Sequence, residues 1–174
     1  GVFFDFSSAF DTVQLDLLLW KLRHEYFMNG RFITALGAFL CDRRSAVKIN
    51  GFISSWLPDV VGVPQGGSLS PILFLIYIDG LGLVNNIPGL TFGIFADDLA
   101  VFTSLKDPYE SWRSLQNGIL FIQWYTLHHG LFLNQDKTQY KIFQTKQTVR
   151  EEDRLQLYFS GSLIAAINKC PLDS

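Results

Sequence analysis

The sequence predicts an α+β domain in which an antiparallel sheet carries acidic residues and helices cover one of its faces. Three observations lead there. The chain opens on an apolar strand-like run with a carboxylate inside it, Val2-Phe3-Phe4-Asp5-Phe6. Two further apolar runs, LTFGIF and LAVFTS, flank Ala96-Asp97-Asp98 in a strand-turn-strand pattern. Elsewhere apolar residues recur at the spacing of a helix face, which strands do not produce.

After a Ser7-Ser8 turn the period changes. Leu15, Leu18, Leu19, Leu22 and Tyr26 share a helical face, Asp11 with Gln14 reads as a capping pair, and Gly30 as the C-terminal stop. A shorter helix runs through Ile33, Leu36 and Leu40. Ser45 to Ile49 and Phe52 to Trp56 read as strands joined by Asn50-Gly51, a pair that favours a two-residue hairpin turn. Arg43, Arg44 and Lys48 make this the most basic local stretch.

Val60 to Gly67 is a Gly/Pro loop, and Ser70-Pro71 reads as the N-cap and first turn of an apolar, buried helix from Ile72 to about Leu81. Asn85 to Gly89 is a turn cluster before the two strands around Asp97-Asp98. From Pro108, the positions Trp112, Leu115, Ile119, Ile122 and Tyr125 define an amphipathic helix ending near Gly130. LFLN, YKIF and LQLYF read as strands, the last two separated by a polar stretch from Thr145 to Arg154. Phe39, Leu73, Phe74, Ile76, Ile119 and Ile122 are expected in the core. With no repeat or linker, residues 1–174 are expected to form one domain.

Composition excludes several classes. At 48% apolar, 15% aromatic and 17% charged residues, general disorder is out of reach. The longest apolar run, Ile72 to Ile78, falls far short of the roughly 20 residues that cross a bilayer, and Asp79 closes it. Cys41 and Cys170 form no CxxC pair, so a reducing, intracellular compartment is expected. A net charge of −2 gives no domain-wide cationic field, so nucleic acid would be held by local basic patches or by parts outside this chain. The chain opens directly on a strand without an initiator Met, which reads as a piece of a longer protein.

Asp5 and Asp97-Asp98 interrupt the most apolar strand segments, where an ionised carboxylate is costly unless a cation or donors neutralise it. If the acids converge, divalent metal resolves their repulsion and suits phosphoryl transfer. The plain alternatives are a solvated turn at Asp97-Asp98 and an Asp5 satisfied by backbone amides. The run from Gly62 to Pro71, GVPQGGSLSP, exposes backbone ahead of a helix start, where a flat base or sugar could approach and Gln65 could bond a nucleotide. An ordinary Pro/Gly connection is its plain alternative. His24, His128 and His129 lack a zinc-ligand pattern.

Taken together, FDFSSAFD, GVPQGGSLSP, FADD and LNQDKT resemble motifs A, B, C and D of reverse transcriptases, in that order. AFDTV, the PQG-x-x-LSP-x-LF-x-x-Y string and FADD are most similar to the palm of non-LTR (LINE-type) retrotransposon enzymes. The resemblance places motif A at residues 1–13, B at 62–81, C at 92–102 and D at 131–143. It implies a reverse-transcriptase palm with fingers and thumb largely missing.

By position, Asp5, Asp97 and Asp98 resemble the metal-binding acids, with the carbonyl of Phe6 as a further ligand, which implies two Mg²⁺ ions, or Mn²⁺ in their place. Phe10 falls where the family places an aromatic gate against the 2′ hydroxyl; a core phenylalanine is the alternative. Gln65 and Gly66 resemble residues lining nucleotide and template. Asn134 and Lys137 resemble the motif D pair, Lys137 as proton donor to the departing pyrophosphate. Arg43, Arg44 and Lys48 are expected phosphate contacts, or else a solvated hairpin face.

The implied activity is RNA-templated DNA synthesis by a transposon polyprotein, with RNA template, DNA primer and deoxynucleotides as ligands, the remaining polyprotein domains as partners, and the nucleus as the place of action. The fragment alone is expected to bind nucleic acid weakly and to polymerise poorly. A decayed or domesticated RNA-binding palm, or a group II intron-type or telomerase-type polymerase, is the alternative.

Overall fold

The computed structural model describes residues 1–143 and 156–167. The stretch from Thr145 to Arg154, the start of LQLYF at Leu155, and Cys170 lie outside the described residues. The chain divides into two compact units, one made of Gly1–Ser7 with Gly80–Ser174 and the other of Ser8–Asp79. No helix among the described residues is long and apolar enough to cross a membrane.

The first unit is a sheet backed by a helix. Strand β1 (Val2–Ser7) is central, between β7 (Asp98–Thr103) and β9 (Gln139–Tyr140); β6 (Leu90–Phe95) and β12 (Ala165–Ala166) are the outer strands, and β8 (Phe132–Leu133) pairs with the end of β1. All pairings are antiparallel except β9 with β12. β10 (Tyr158–Phe159) and β11 (Ser162–Leu163) form a separate hairpin. The expected LTFGIF and LAVFTS strands are β6 and β7, joined at Ala96-Asp97.

Helix α4 (Pro108–His128) covers the sheet, contacting β6, β7, β8 and β10. Its start is fixed by Asp107, whose carboxylate accepts from the N–H groups of Tyr109 and Glu110 at 2.7 and 3.2 Å. Leu115, Ile119, Ile122 and Tyr125 form its buried stripe, as the spacing predicts.

In the second unit, α1 (Leu15–His24) packs against α2 (Gly30–Cys41) and α3 (Ser70–Ile78). Several expected boundaries are corrected here. A short 3-10 turn over Ala9–Thr12 precedes α1, and Asp11 does not cap the helix. Gly30 begins α2 instead of ending α1; Asn29 caps it, accepting from Arg31 N–H at 2.8 Å. The α1 stop is Phe27, at a left-handed φ of 51°, with Met28 N–H returning to Leu22 O at 3.0 Å. Ser70 is not a cap either: its hydroxyl is directed back to Pro64 O. Helix α3 ends at Ile78 and continues as 3-10 turns over Asp79–Asn86.

Leu73, Phe74, Ile119 and Ile122 are core, as expected, but Ile76 is only half-buried and Phe39 is exposed. Helix α2 buries Leu36 and Leu40, which turns Phe39 outward between them. The predicted Asn50-Gly51 hairpin is present, with both residues at positive φ (50° and 88°), the signature of a type I′ turn. It joins β3 (Lys48–Ile49) to β4 (Phe52–Ile53), and the ribbon continues as β2 (Arg44–Ser45) paired with β5 (Leu57–Pro58). The register shifts by one residue between the two ladders, which marks a bulge on the Ser54–Trp56 side.

Candidate active site

Asp5 sits on the central strand directly opposite Asp98, the first residue of β7. Cross-strand partners share a face, so both carboxylates project from the same side of the sheet. That side faces away from the core. Val2, Phe4 and Phe6 are buried on one face of β1, which leaves Phe3, Asp5 and Ser7 on the other; in β7, Leu99 and Val101 are buried and Asp98 is exposed. An acid inside an apolar strand is therefore housed by alternation, without full burial.

Two carboxylates set opposite one another repel. Here a cation lies beside them: Lys137 Nζ is 3.1 Å from Asp5 Oδ2. Its placement is built by Asn134, whose N–H donates to Asp5 O at 2.8 Å. The Asn134 Oδ1 accepts from the N–H groups of Asp136 and Lys137 at 3.1 and 3.2 Å, and Thr138 Oγ1 donates to Asn134 O at 2.8 Å. Asn134 thus shapes the turn that delivers Lys137 to Asp5; its carbonyl oxygen is engaged by the turn's own amides.

Asp97 lies on the two-residue turn closed by Phe95 and Asp98. Ala96 takes a φ of 54° and Asp97 does not, the pattern of a type II′ turn. Among the described residues no group of three His, Cys, Asp or Glu side chains gathers as a metal site. Asp5 and Asp98 are thus register partners, while Asp97 sits on the turn that joins β6 to β7. Such a pair still suits Mg²⁺, which takes one or two carboxylates and completes its shell with water and phosphate oxygens. The ammonium on Asp5 shows that a cation is accommodated there. The Phe6 side chain is buried on the core face of β1.

The motif B residues lie in the second unit, folded onto the Ala9–Thr12 turn. Gly62 N–H donates to Val13 O at 2.7 Å and Val63 N–H to Phe10 O at 2.8 Å. Gly62 is obligatory here: its φ is +85°, and a Cβ would lie 2.9 Å from Asp11 Cα. Gln65 Nε2 donates to both carboxylate oxygens of Asp11, at 2.9 and 3.0 Å. Gly66, at φ +78°, has open space where a side chain would stand. Phe10 is half-buried with its ring 5.0 Å from that of Phe74, so part of it is core and part accessible.

Of the basic trio, Arg44 and Lys48 are exposed on the hairpin ribbon. Arg43 also braces the fold: its guanidinium donates to the carbonyls of Leu40, at 2.9 Å, and Gly62, which ties the end of α2 to the loop before Gln65.

The family model described as "Reverse transcriptase (RNA-dependent DNA polymerase)" matches residues 1–153. The chain belongs to the reverse transcriptase family. This reverse transcriptase domain is 27% identical over 142 residues to the RNA-directed DNA polymerase from mobile element jockey of Drosophila melanogaster, a match covering 79% of the chain and 15% of that protein. It is 29% identical over 153 residues to the probable RNA-directed DNA polymerase from transposon BS of the same fly, covering 84% of the chain and 16% of the relative. The chain therefore spans about one sixth of the length of these relatives.

Among solved structures, telomerase from Candida albicans in complex with a TWJ fragment of telomeric RNA aligns with a TM-score of 0.56 at 18% identity, over 94% of this chain and 30% of that one. Apo telomerase from Candida tropicalis aligns with a TM-score of 0.55 at 18% identity, over 79% and 29% of the two chains. At that identity the likeness is one of fold. Reverse transcriptases as a family act on nucleic acid templates and use divalent metal ions.

Two features of this reverse transcriptase domain were not read from its sequence. Asp11 is a partner of Gln65, a role hidden by its resemblance to a helix cap. Lys21 is a buried ammonium in the second unit, 2.5 Å from Asp79 Oδ1 and 3.1 Å from Tyr77 O, and Tyr26 donates to the other Asp79 oxygen at 2.5 Å. Its signal was present: position 21 adjoins Leu18 and Leu22 on the apolar stripe of α1.

Proposed function

We propose that this chain carries the catalytic palm of an RNA-templated DNA polymerase from a non-LTR retrotransposon. The observation that carries the reading is the pairing of Asp5 with Asp98 on the face of the sheet away from the core. It stands beside relatives named as RNA-directed DNA polymerases of mobile elements.

In this reading Asp5, Asp98 and Asp97, with the Phe6 carbonyl, hold two Mg²⁺ ions. When bound, the ions activate the primer 3′ hydroxyl and neutralise the leaving pyrophosphate. The new bond forms between the primer 3′ oxygen and the α-phosphorus of the incoming deoxynucleotide as the bond to pyrophosphate breaks. Lys137, already held at Asp5, supplies a proton to the departing pyrophosphate. The ring of Phe10 excludes a 2′ hydroxyl, and Gln65 and Gly66 line the nucleotide and template. Arg44 and Lys48 contact phosphates of template and primer. The other domains of the polyprotein supply the rest of the grip on nucleic acid, and the complete element acts on nuclear DNA.

The test is primer extension on an RNA template by the complete polypeptide that carries this chain, with Asp97→Asn as the control. Loss of extension by about 100-fold or more is expected. Extension that survives the substitution overturns the metal assignment.

A further inference from the structure

We infer that Asp11 is a positioning residue that fixes the side-chain amide of Gln65 with its carbonyl oxygen turned toward the incoming nucleotide. The inference rests on the reading that Gln65 faces the nucleotide.

A glutamine side chain offers two N–H donors and one carbonyl acceptor, and a free one rotates to present whichever the ligand needs. Gln65 is not free. Its Nε2 donates to both oxygens of Asp11, at 2.9 and 3.0 Å. An ionised carboxylate can only accept, so the nitrogen must face Asp11 and the opposite end of the amide, Oε1, is turned away from it. The charge on the acceptor makes this contact stronger than a neutral pair.

Both ends of the clamp are braced by main chain. Asp11 is held in its 3-10 turn by an N–H donated to Ser8 O at 2.9 Å. The loop that carries Gln65 is anchored on that same turn through Gly62 N–H to Val13 O and Val63 N–H to Phe10 O, at 2.7 and 2.8 Å. On the far side of Gln65, the Ser70 hydroxyl donates to Pro64 O. Yet the side chains of Asp11 and Gln65 are both exposed, and Gly66 beside them leaves open space. A rigid base with an accessible tip is the arrangement that discriminates between ligands.

The chemistry favoured at the Oε1 end is a hydrogen-bond donor, a hydroxyl or amino group of the nucleotide; the two Asp11 oxygens engage one Nε2 N–H between them and leave the other beside it. Asp11 acts through Gln65 and takes no part in bond making. Its loss should therefore appear in the apparent affinity for the nucleotide and leave the chemical step unchanged.

The experiment compares Asp11→Ala, Gln65→Ala and the double variant in RNA-templated primer extension by the complete polypeptide. Expected are a rise of about 3–10-fold in KM for deoxynucleotide in Asp11→Ala, a kcat within about twofold of the parent, and a double variant no worse than Gln65→Ala. Asp11→Glu, which keeps the carboxylate, should recover part of the KM. Losses that multiply in the double variant, or a fall in kcat without a change in KM, overturn the inference. A second readout uses this chain alone: the Gln65 side-chain amide protons should shift in the NMR spectrum of Asp11→Asn, and an unchanged resonance shows that there is no clamp. Multiplying losses in an enzyme that still depends on Asp97 overturn this inference alone, whereas extension that survives Asp97→Asn overturns the reading beneath it.

Discussion

Lys137 and Asp5 form an ion pair at 3.1 Å, and the same turn that presents the lysine is hydrogen-bonded to the aspartate's own carbonyl through Asn134. The two ends of motif D and motif A are thus tied twice, once by charge and once by main chain. A cation entering at Asp5 has to share that carboxylate with the ammonium or displace it.

Lys137→Gln removes the competing charge. Mn²⁺ affinity of the chain, followed by electron paramagnetic resonance, should rise by about 2–5-fold. Stability in urea should change by less than about 1 kcal/mol, because the lysine side chain is largely exposed. Unchanged or weakened ion binding would show that the ammonium does not compete.

Tyr26 supplies a pH dependence in the second unit. Partial burial, the hydrogen bond to Asp79 and the negative charges of Asp79 and Glu25 push its phenol up to about 12 from an ordinary 10.0. The protonated phenol is thus favoured in the folded state. Its contribution is fully present below about pH 10 and is lost as pH rises toward 12. Urea titrations across this window should show a decline that is shallower in Tyr26→Phe, and equal slopes would count against the contact.

Gly62 and Gly66 both take positive φ, but only Gly62 is walled in by backbone. Gly62→Ala should destabilise the chain by about 2–4 kcal/mol, from strain plus overlap with Asp11. Gly66→Ala, in open space, should cost about 1 kcal/mol. Denaturant midpoints for the two variants test the ranking; equal losses would contradict the close approach at Gly62.

Phe27 ends α1 at a left-handed φ of 51° with an 86% exposed side chain. Phe27→Gly should therefore stabilise the chain by up to about 1 kcal/mol, since the Cβ penalty disappears and little packing is lost. A lower melting temperature in this variant would show that the ring makes contacts that matter.

Much of the fold was legible because it follows from local chemistry. Asn50-Gly51 dictates its turn, Pro108 marks a helix start, and the apolar stripe of α4 sets its buried face. The hairpin that sets Asp98 beside β1 was readable from the runs on either side of Ala96-Asp97. What escaped depended on partners distant in the chain. Ser70 resembles a cap until Pro64 O is seen to claim its hydroxyl, and the bracing of Leu40 and Gly62 by Arg43 joins positions that the sequence keeps apart. Gly30 was assigned to the wrong helix because glycine punctuates either end, and the left-handed stop fell on a phenylalanine. In the candidate site, the pairing of Asp5 with Asp98, and the place of Asp97 on the turn just before it, follow from strand register that spacing alone does not encode.

The alternation along β1 separates what the strand does from what keeps it standing. Val2, Phe4 and Phe6 hold the sheet to its core, while Asp5 points the other way. A substitution that silences Asp5 gives up its exposed contact with Lys137 but leaves the buried neighbours on β1 in place. Loss of the acid would therefore leave a chain that still folds but is chemically mute.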